Sequence, residues 1–118
     1  MQKVEGVVIG GNKLGRTLGF PTANMDVADR NDLENGVYRS EVEIDGRCYR
    51  AMSNVGVRPS VDGRTRLLET HIFDFHGDLY GRVLCVTLIE KIRDERKFSS
   101  VEELRAQLEY DKEQIAEQ

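Results

Sequence analysis

The chain has 118 residues, 39% apolar and 32% charged, with a net charge of −4. That length suits one domain with one modest core. The acidic balance argues against a nucleic-acid partner, although backbone amides and a metal hold phosphate without many lysines. No apolar run approaches membrane length and the first residues lack a signal-peptide pattern, so no membrane partner and a cytoplasmic location are expected.

In chain order, residues 4–9 read as a first short strand ended by Gly10 and Gly11. A glycine-rich loop runs on to Phe20, and Pro21 stops any helix there. Residues 22–27 are extended again, and the polar stretch 28–35 is a connecting loop. Gly36 opens the clearest hairpin. Tyr38, Ser40, Val42 and Ile44 alternate with Arg39, Glu41 and Glu43, and Asp45-Gly46 is the dipeptide of a type I′ turn. A two-residue turn sets Val42 against Tyr49 and Ser40 against Ala51, with the return strand running to about Ser53. Residues 57–66, with Pro59, Ser60, Asp62 and Gly63, read as a loop. A strand over 67–75, a turn at His76-Gly77-Asp78 and a strand over 82–90 pairing back on it follow, the latter apolar enough for burial on both faces.

The last element is a helix. Ser99 and Ser100 are N-cap candidates, and Ser100 with Glu103 fits a capping box. Val101, Leu104, Leu108 and Ile115 form its apolar stripe, which Asp111 and Lys112 interrupt, so its final turns are expected to fray or face solvent. The pattern predicts a mainly β protein: a six-stranded, Greek-key-like closed β-barrel with a C-terminal α-helix. Cys48 and Cys85 lie in separate strands and form neither a disulfide framework nor a metal spacing; both are expected to be reduced.

The densest chemistry is Gly15-Arg16-Thr17-Leu18-Gly19-Phe20-Pro21-Thr22-Ala23-Asn24. Glycines let a backbone approach a ligand, free N–H groups cradle an anion, and threonine and asparagine oxygens suit Mg²⁺. The run is neither a Walker A motif nor a dinucleotide fingerprint. A plain connecting loop and a metal-polyphosphate loop both stay open, with Thr22 and Asn24 favouring the second. In a strand, Glu69, His71, Phe73 and Phe75 share one side. A carboxylate buried there becomes a proton acceptor near neutral pH, whereas on the solvent side it is an ordinary surface acid. Asn54-Val55-Gly56 is either an ordinary turn or a bend that brings an amide to a site. Tyr80 in Asp78-Leu79-Tyr80-Gly81 either meets a phosphate or base or covers the core. The mixed-sign run from Lys91 to Lys97 reads as a solvated connector.

These residues together resemble the riboflavin kinases. The likeness rests on Gly6-Val7-Val8, Gly11, the Gly15–Asn24 run, Gly36-Val37-Tyr38, Asn54-Val55-Gly56 with Pro59, Glu69-Thr70-His71 with Phe75, Asp78-Leu79-Tyr80-Gly81, and Ile92-Arg93, Glu95 and Lys97-Phe98 before the Leu104 helix. It covers nearly the whole chain. It implies a six-stranded barrel with a C-terminal helix, and transfer of the ATP γ-phosphate to the riboflavin 5′-hydroxyl, giving FMN and ADP with Mg²⁺. It implies Glu69 as catalytic base and Thr22 and Asn24 as holders of Mg²⁺ and the nucleotide phosphates. Gly11, Gly15, Arg16 and Tyr80 fall on the nucleotide side, and Phe98 and Leu104 on the flavin side. Ser60 departs from the threonine common after the proline. Bacterial members usually carry a preceding FMN adenylyltransferase domain, and with no His-x-Gly-His motif present the chain is expected to be a single kinase domain over 1–118, stand-alone or excised. The competing expectation is a non-catalytic flavin- or nucleotide-binding regulatory module.

Overall fold

A computed structural model describes residues 1–10, 18–60 and 63–116. Gly11, Gly15 and Arg16 lie outside the described residues. Six strands form one sheet: β1 (Gln2–Val7), β2 (Ala23–Asp26), β3 (Gly36–Ile44), β4 (Arg47–Ser60), β5 (Gly63–Ile72) and β6 (Val83–Arg93), followed by helix α1 (Val101–Ala116). The strand order is β1-β6-β3-β4-β5-β2, with every pair antiparallel. Strands β3, β4 and β5 follow one another, and β6 returns to lie beside β3, which is a Greek key. The sheet curls until its edges β1 and β2 meet. One bridge, with the Ile9 amide donating to the Asn24 carbonyl at 2.8 Å, joins them in place of a full ladder. The barrel is therefore nearly closed.

The β3–β4 hairpin has the register that its turn chemistry dictates. Asp45 and Gly46 both have positive φ (51° and 82°), the type I′ signature. Val42 faces Tyr49 and Ser40 faces Ala51. The inner face carries Val42, Val55, Leu68, Val86 and Leu88, each at most 2% exposed. Three buried hydroxyls cross this core. Ser53 Oγ lies 2.8 Å from both Ser40 Oγ and Thr70 Oγ1, so each group finds its partner on the next strand.

Val37 of β3, Met52 of β4 and Phe73, just past the end of β5, make a second apolar cluster on the outer face with Leu18, Phe20 and Ile115. Helix α1 docks here. Ser100 Oγ accepts from the Glu103 amide at 3.1 Å, the expected cap, while the Glu103 carboxylate reaches back to Ser99 rather than to Ser100.

Four expectations are corrected. The stretch 57–66 is mostly strand: Val57 pairs with Arg66, Arg58 with Thr65, and Pro59 with Arg64, the proline standing near the hairpin tip. Asn54-Val55-Gly56 lies inside β4 and is no turn. Strand β6 pairs with β1 and β3, not with β5, and it buries only one face: Leu84, Val86 and Leu88 are buried while Val83 is 61% exposed. The end of α1 is its most firmly docked part. Asp111 is 2% exposed and takes a fork of bonds from Arg93 at 2.7–3.2 Å, Ile115 is 1% exposed, and Arg50 donates to the Ala116 carbonyl at 2.9 Å.

Candidate functional site

Two neighbouring cavities are lined by described residues of the barrel, and Thr22 lines both. The first, of about 310 Å³, lies between the outer face of β3–β5 and α1. Leu18, Phe20, Val37 and Met52 give it an apolar floor, and Phe98, Leu104 and Leu108 an apolar wall. Besides Thr22, its polar residues are Asn54, Arg58, Glu69, His71, Arg93, Glu95 and Arg96. The second, of about 600 Å³, is built from Val8, Ile9 and Gly10, Pro21 to Asn24, and the segment from Phe75 to Tyr80. Asp78 is the one charged side chain on its described walls.

Local structure joins them. Asn24 on β2 lies directly across the ladder from Glu69 on β5, and Asn54 on β4 lies across from Glu69 on the other side. Opposed residues project to the same face of a sheet. All three therefore stand in one row on the outer face. Thr22 Oγ1 donates to Asn24 Oδ1 at 2.7 Å. Glu69 is not a surface acid: its side chain is only 14% exposed and is paired with Arg58 at 2.9 Å. His71 is 7% exposed, its Nδ1 sits 2.9 Å from the Pro21 carbonyl, and Phe20 meets it edge-on. A carbonyl only accepts, so Nδ1 carries the proton. Burial, and to a lesser extent the Lys112 charge, hold the imidazole below its usual pKa against that carbonyl's opposing pull.

The sequence-derived site residues divide between the cavities. Glu69, Phe98 and Leu104 line the first; Asn24 and Tyr80 line the second; Thr22 belongs to both. Strand β5 ends at Ile72, not at residue 75, and a turn with Asp74 at φ 58° follows; Phe73 packs in the helix-side cluster while Phe75 packs against the barrel core and Tyr49, so these two part company. Four charged lining residues escaped sequence reasoning: Arg58, Arg93, Glu95 and Arg96. The last three lie in the run read as a solvated connector. Arg58 had a readable signal, since a β4 extended past Ser53 puts Met52, Asn54, Gly56 and Arg58 on one face by their period of two.

The donor chemistry fits a magnesium ion only in part. Thr22 Oγ1 and Asn24 Oδ1 are neutral hard oxygens, each keeping a lone pair after their mutual bond. Among the described residues no three His, Cys, Asp or Glu side chains converge to hold a metal. Two neutral ligands suit Mg²⁺ that takes its remaining oxygens from phosphates and water.

A family model described as flavokinase, riboflavin kinase, matches residues 1–118. The chain belongs to the riboflavin kinase family. A bifunctional riboflavin kinase/FMN adenylyltransferase of Haemophilus influenzae is 43% identical over 110 residues, which cover 92% of this chain and 36% of that protein. The chain thus spans about a third of the length of that bifunctional relative. A solved Streptococcus pneumoniae chain described as a macrolide-efflux protein shares 44% identity at a TM-score of 0.83, covering 94% of this chain and 37% of its own. A riboflavin kinase from Trypanosoma brucei shares the fold at a TM-score of 0.64 with 20% identity, covering 98% of this chain and 77% of its own. No helix among the described residues is long and apolar enough to cross a membrane.

Proposed function

We propose that this riboflavin kinase family chain transfers the γ-phosphate of ATP to the 5′-hydroxyl of riboflavin, releasing FMN and ADP, with Mg²⁺ required. The observation that carries the reading is Thr22 standing where two cavities of different chemistry meet, with Glu69 on one side and Asn24 on the other. The first cavity takes the flavin. Its apolar wall at Phe98 and Leu104 suits a planar heteroaromatic ring, and its polar end at Glu69 suits the ribityl chain. The second takes the nucleotide. Its described walls hold no cationic side chain, so a polyphosphate there needs countercharge supplied with it. Mg²⁺ bound to Thr22, Asn24 and the phosphates would supply that charge. Gly11, Gly15, Arg16 and Tyr80 complete the nucleotide side in this reading.

Glu69 aligns the 5′-hydroxyl and accepts its proton as the new O–P bond forms and the bond from the γ-phosphorus to the bridging oxygen breaks. Phosphoryl transfer asks little else of the protein beyond position and charge. The apolar walls exclude water, which limits loss of ATP to hydrolysis. In this reading the domain works in the cytoplasm, either on its own or joined to an FMN adenylyltransferase domain of the kind its bifunctional relatives carry.

Incubation with riboflavin, ATP and Mg²⁺, followed by chromatography of the flavins, tests the reading. FMN is expected from the unaltered chain. Glu69→Gln should still bind riboflavin while kcat falls on the order of 10²- to 10⁴-fold. Full activity in that variant removes Glu69 as base. Riboflavin bound but never phosphorylated by the unaltered chain indicates a non-catalytic flavin module.

A further inference from the structure

We infer that Arg58 is a positioning residue that orients Glu69, with Glu95 as its second anchor; the inference rests on the catalytic reading of Glu69 given above. Arg58 Nε donates a hydrogen bond to Glu69 Oε1 at 3.0 Å, and Nη2 makes an ion-pair contact with the same oxygen at 2.9 Å. Among the described residues Glu69 Oε2 accepts no hydrogen bond. A hydrogen bond and a charge contact that converge on one oxygen restrict the rotation of a carboxylate and leave the other oxygen to meet a hydroxyl. A lysine has no planar fork with which to make this arrangement.

The guanidinium is itself held from behind. Nη2 also meets Glu95 Oε2 at 2.9 Å, and Nη1 donates to the Val57 carbonyl at 3.0 Å. Arg58, Glu69 and Glu95 side chains are 24%, 14% and 30% exposed, so water screens this chain of charges only in part. Burial by itself would lower the Arg58 pKa; the Glu69 charge and the Glu95 bond outweigh it and keep the group cationic. Gly56 makes the arrangement possible, because a Cβ at that position would overlap the Glu95 carboxylate. Glu95 lies in the connector just before Phe98, on the flavin side. The network therefore links the wall of the flavin cavity to the orientation of the base.

The test is steady-state kinetics on Arg58→Ala, Arg58→Lys, Glu95→Ala and Gly56→Ala, with crystal structures of the first and third. Arg58→Ala should lower kcat on the order of 10²-fold, with the riboflavin KM held within about threefold, since an interaction acting on the reacting geometry moves kcat and not ground-state binding. Arg58→Lys should restore roughly a tenth of the unaltered kcat. Glu95→Ala and Gly56→Ala, which leave Arg58 in place, should each lower kcat by about tenfold with KM again little changed. In the crystal structures the Glu69 carboxylate should leave its present orientation. An unchanged or raised kcat in Arg58→Ala overturns the inference and marks the pair as a lock to be broken instead. A Glu69 carboxylate that stays in place without Arg58 overturns it whatever the turnover. If the unaltered chain makes no FMN, the catalytic reading fails by itself, and the crystallographic result still decides what Arg58 does to Glu69.

Discussion

The two cavities are built in opposite ways. The second draws much of its wall from a few short segments: residues 8–10, 21–24 and 75–80 supply most of it, largely with backbone, small residues and one exposed tyrosine. The first is lined by side chains from β3, β4, β5, the β6 end, the connector and α1, joined by ion pairs that span up to 37 residues of sequence. A site made of local segments depends on turn chemistry, whereas one made of distant side chains depends on the whole barrel being assembled with its helix in place. The two should accordingly fail separately when the right contact is removed.

The largest separation is expected from Asp111→Ala. It leaves the Arg93 guanidinium partly buried without its carboxylate, a change that costs about 3–5 kcal/mol. Thermal unfolding should show the loss, and at temperatures where the chain remains folded riboflavin binding should weaken while Mg²⁺-ATP binding is kept. Equal loss of both ligands would break the distinction. Thr22→Ala should do the reverse of separating them. Losing a hydroxyl contact to a charged group costs about 1.5–3 kcal/mol, or roughly 10- to 100-fold in Mg²⁺-ATP affinity by calorimetry. Because Thr22 lines both cavities, it should also perturb the flavin site; unchanged nucleotide affinity removes it from the metal and phosphate role.

His71 gives the helix-side cavity a pH dependence. Its folded pKa is lowered, mainly by burial. Above the unfolded value, about 6.5, both states are neutral and nothing is lost. Below it the unfolded chain takes a proton that the folded chain resists, so stability falls as pH drops, by at most about 1.4 kcal/mol per pH unit from this group. Urea unfolding of the unaltered chain and of His71→Phe, at pH 7.5 and 5.5, should show the smaller drop in the variant; equal drops remove His71 as the cause. Ser100→Ala should have the smallest effect, about 1 kcal/mol from the lost N-cap. Thermal unfolding measures it, and riboflavin binding should weaken more than nucleotide binding because the cap precedes Leu104.

What could be read from the chain alone follows the same division. Asp45-Gly46 and the alternation around it set the hairpin register, and Ser100 with Glu103 marked the helix start, because a turn or a cap is decided by residues within a few positions of one another. Thr22 and Asn24 were recognisable for the same reason: two oxygen-bearing residues flank a single position after Pro21. Arg58 went unread because proline and glycine nearby suggested a loop, while pairing with β5 overrode those local signals. The run from Lys91 to Lys97 looked solvated because its charges cancel in sequence, yet Arg93 finds Asp111 on the helix and Glu95 finds Arg58 on β4.

By itself the amino-acid order determined the mainly β character, the hairpin, the helix start and the residues that resemble a kinase site, since these rest on period, turn preference and motif. Only the tertiary structure decided that β6 lies between β1 and β3, that the helix end is anchored rather than frayed, and that Glu69 is held by Arg58. Each of these depends on which face of a strand meets which distant partner once the sheet curls. Burial then makes an unpaired charge costly, and that cost, absent from any local stretch of sequence, selects the partners.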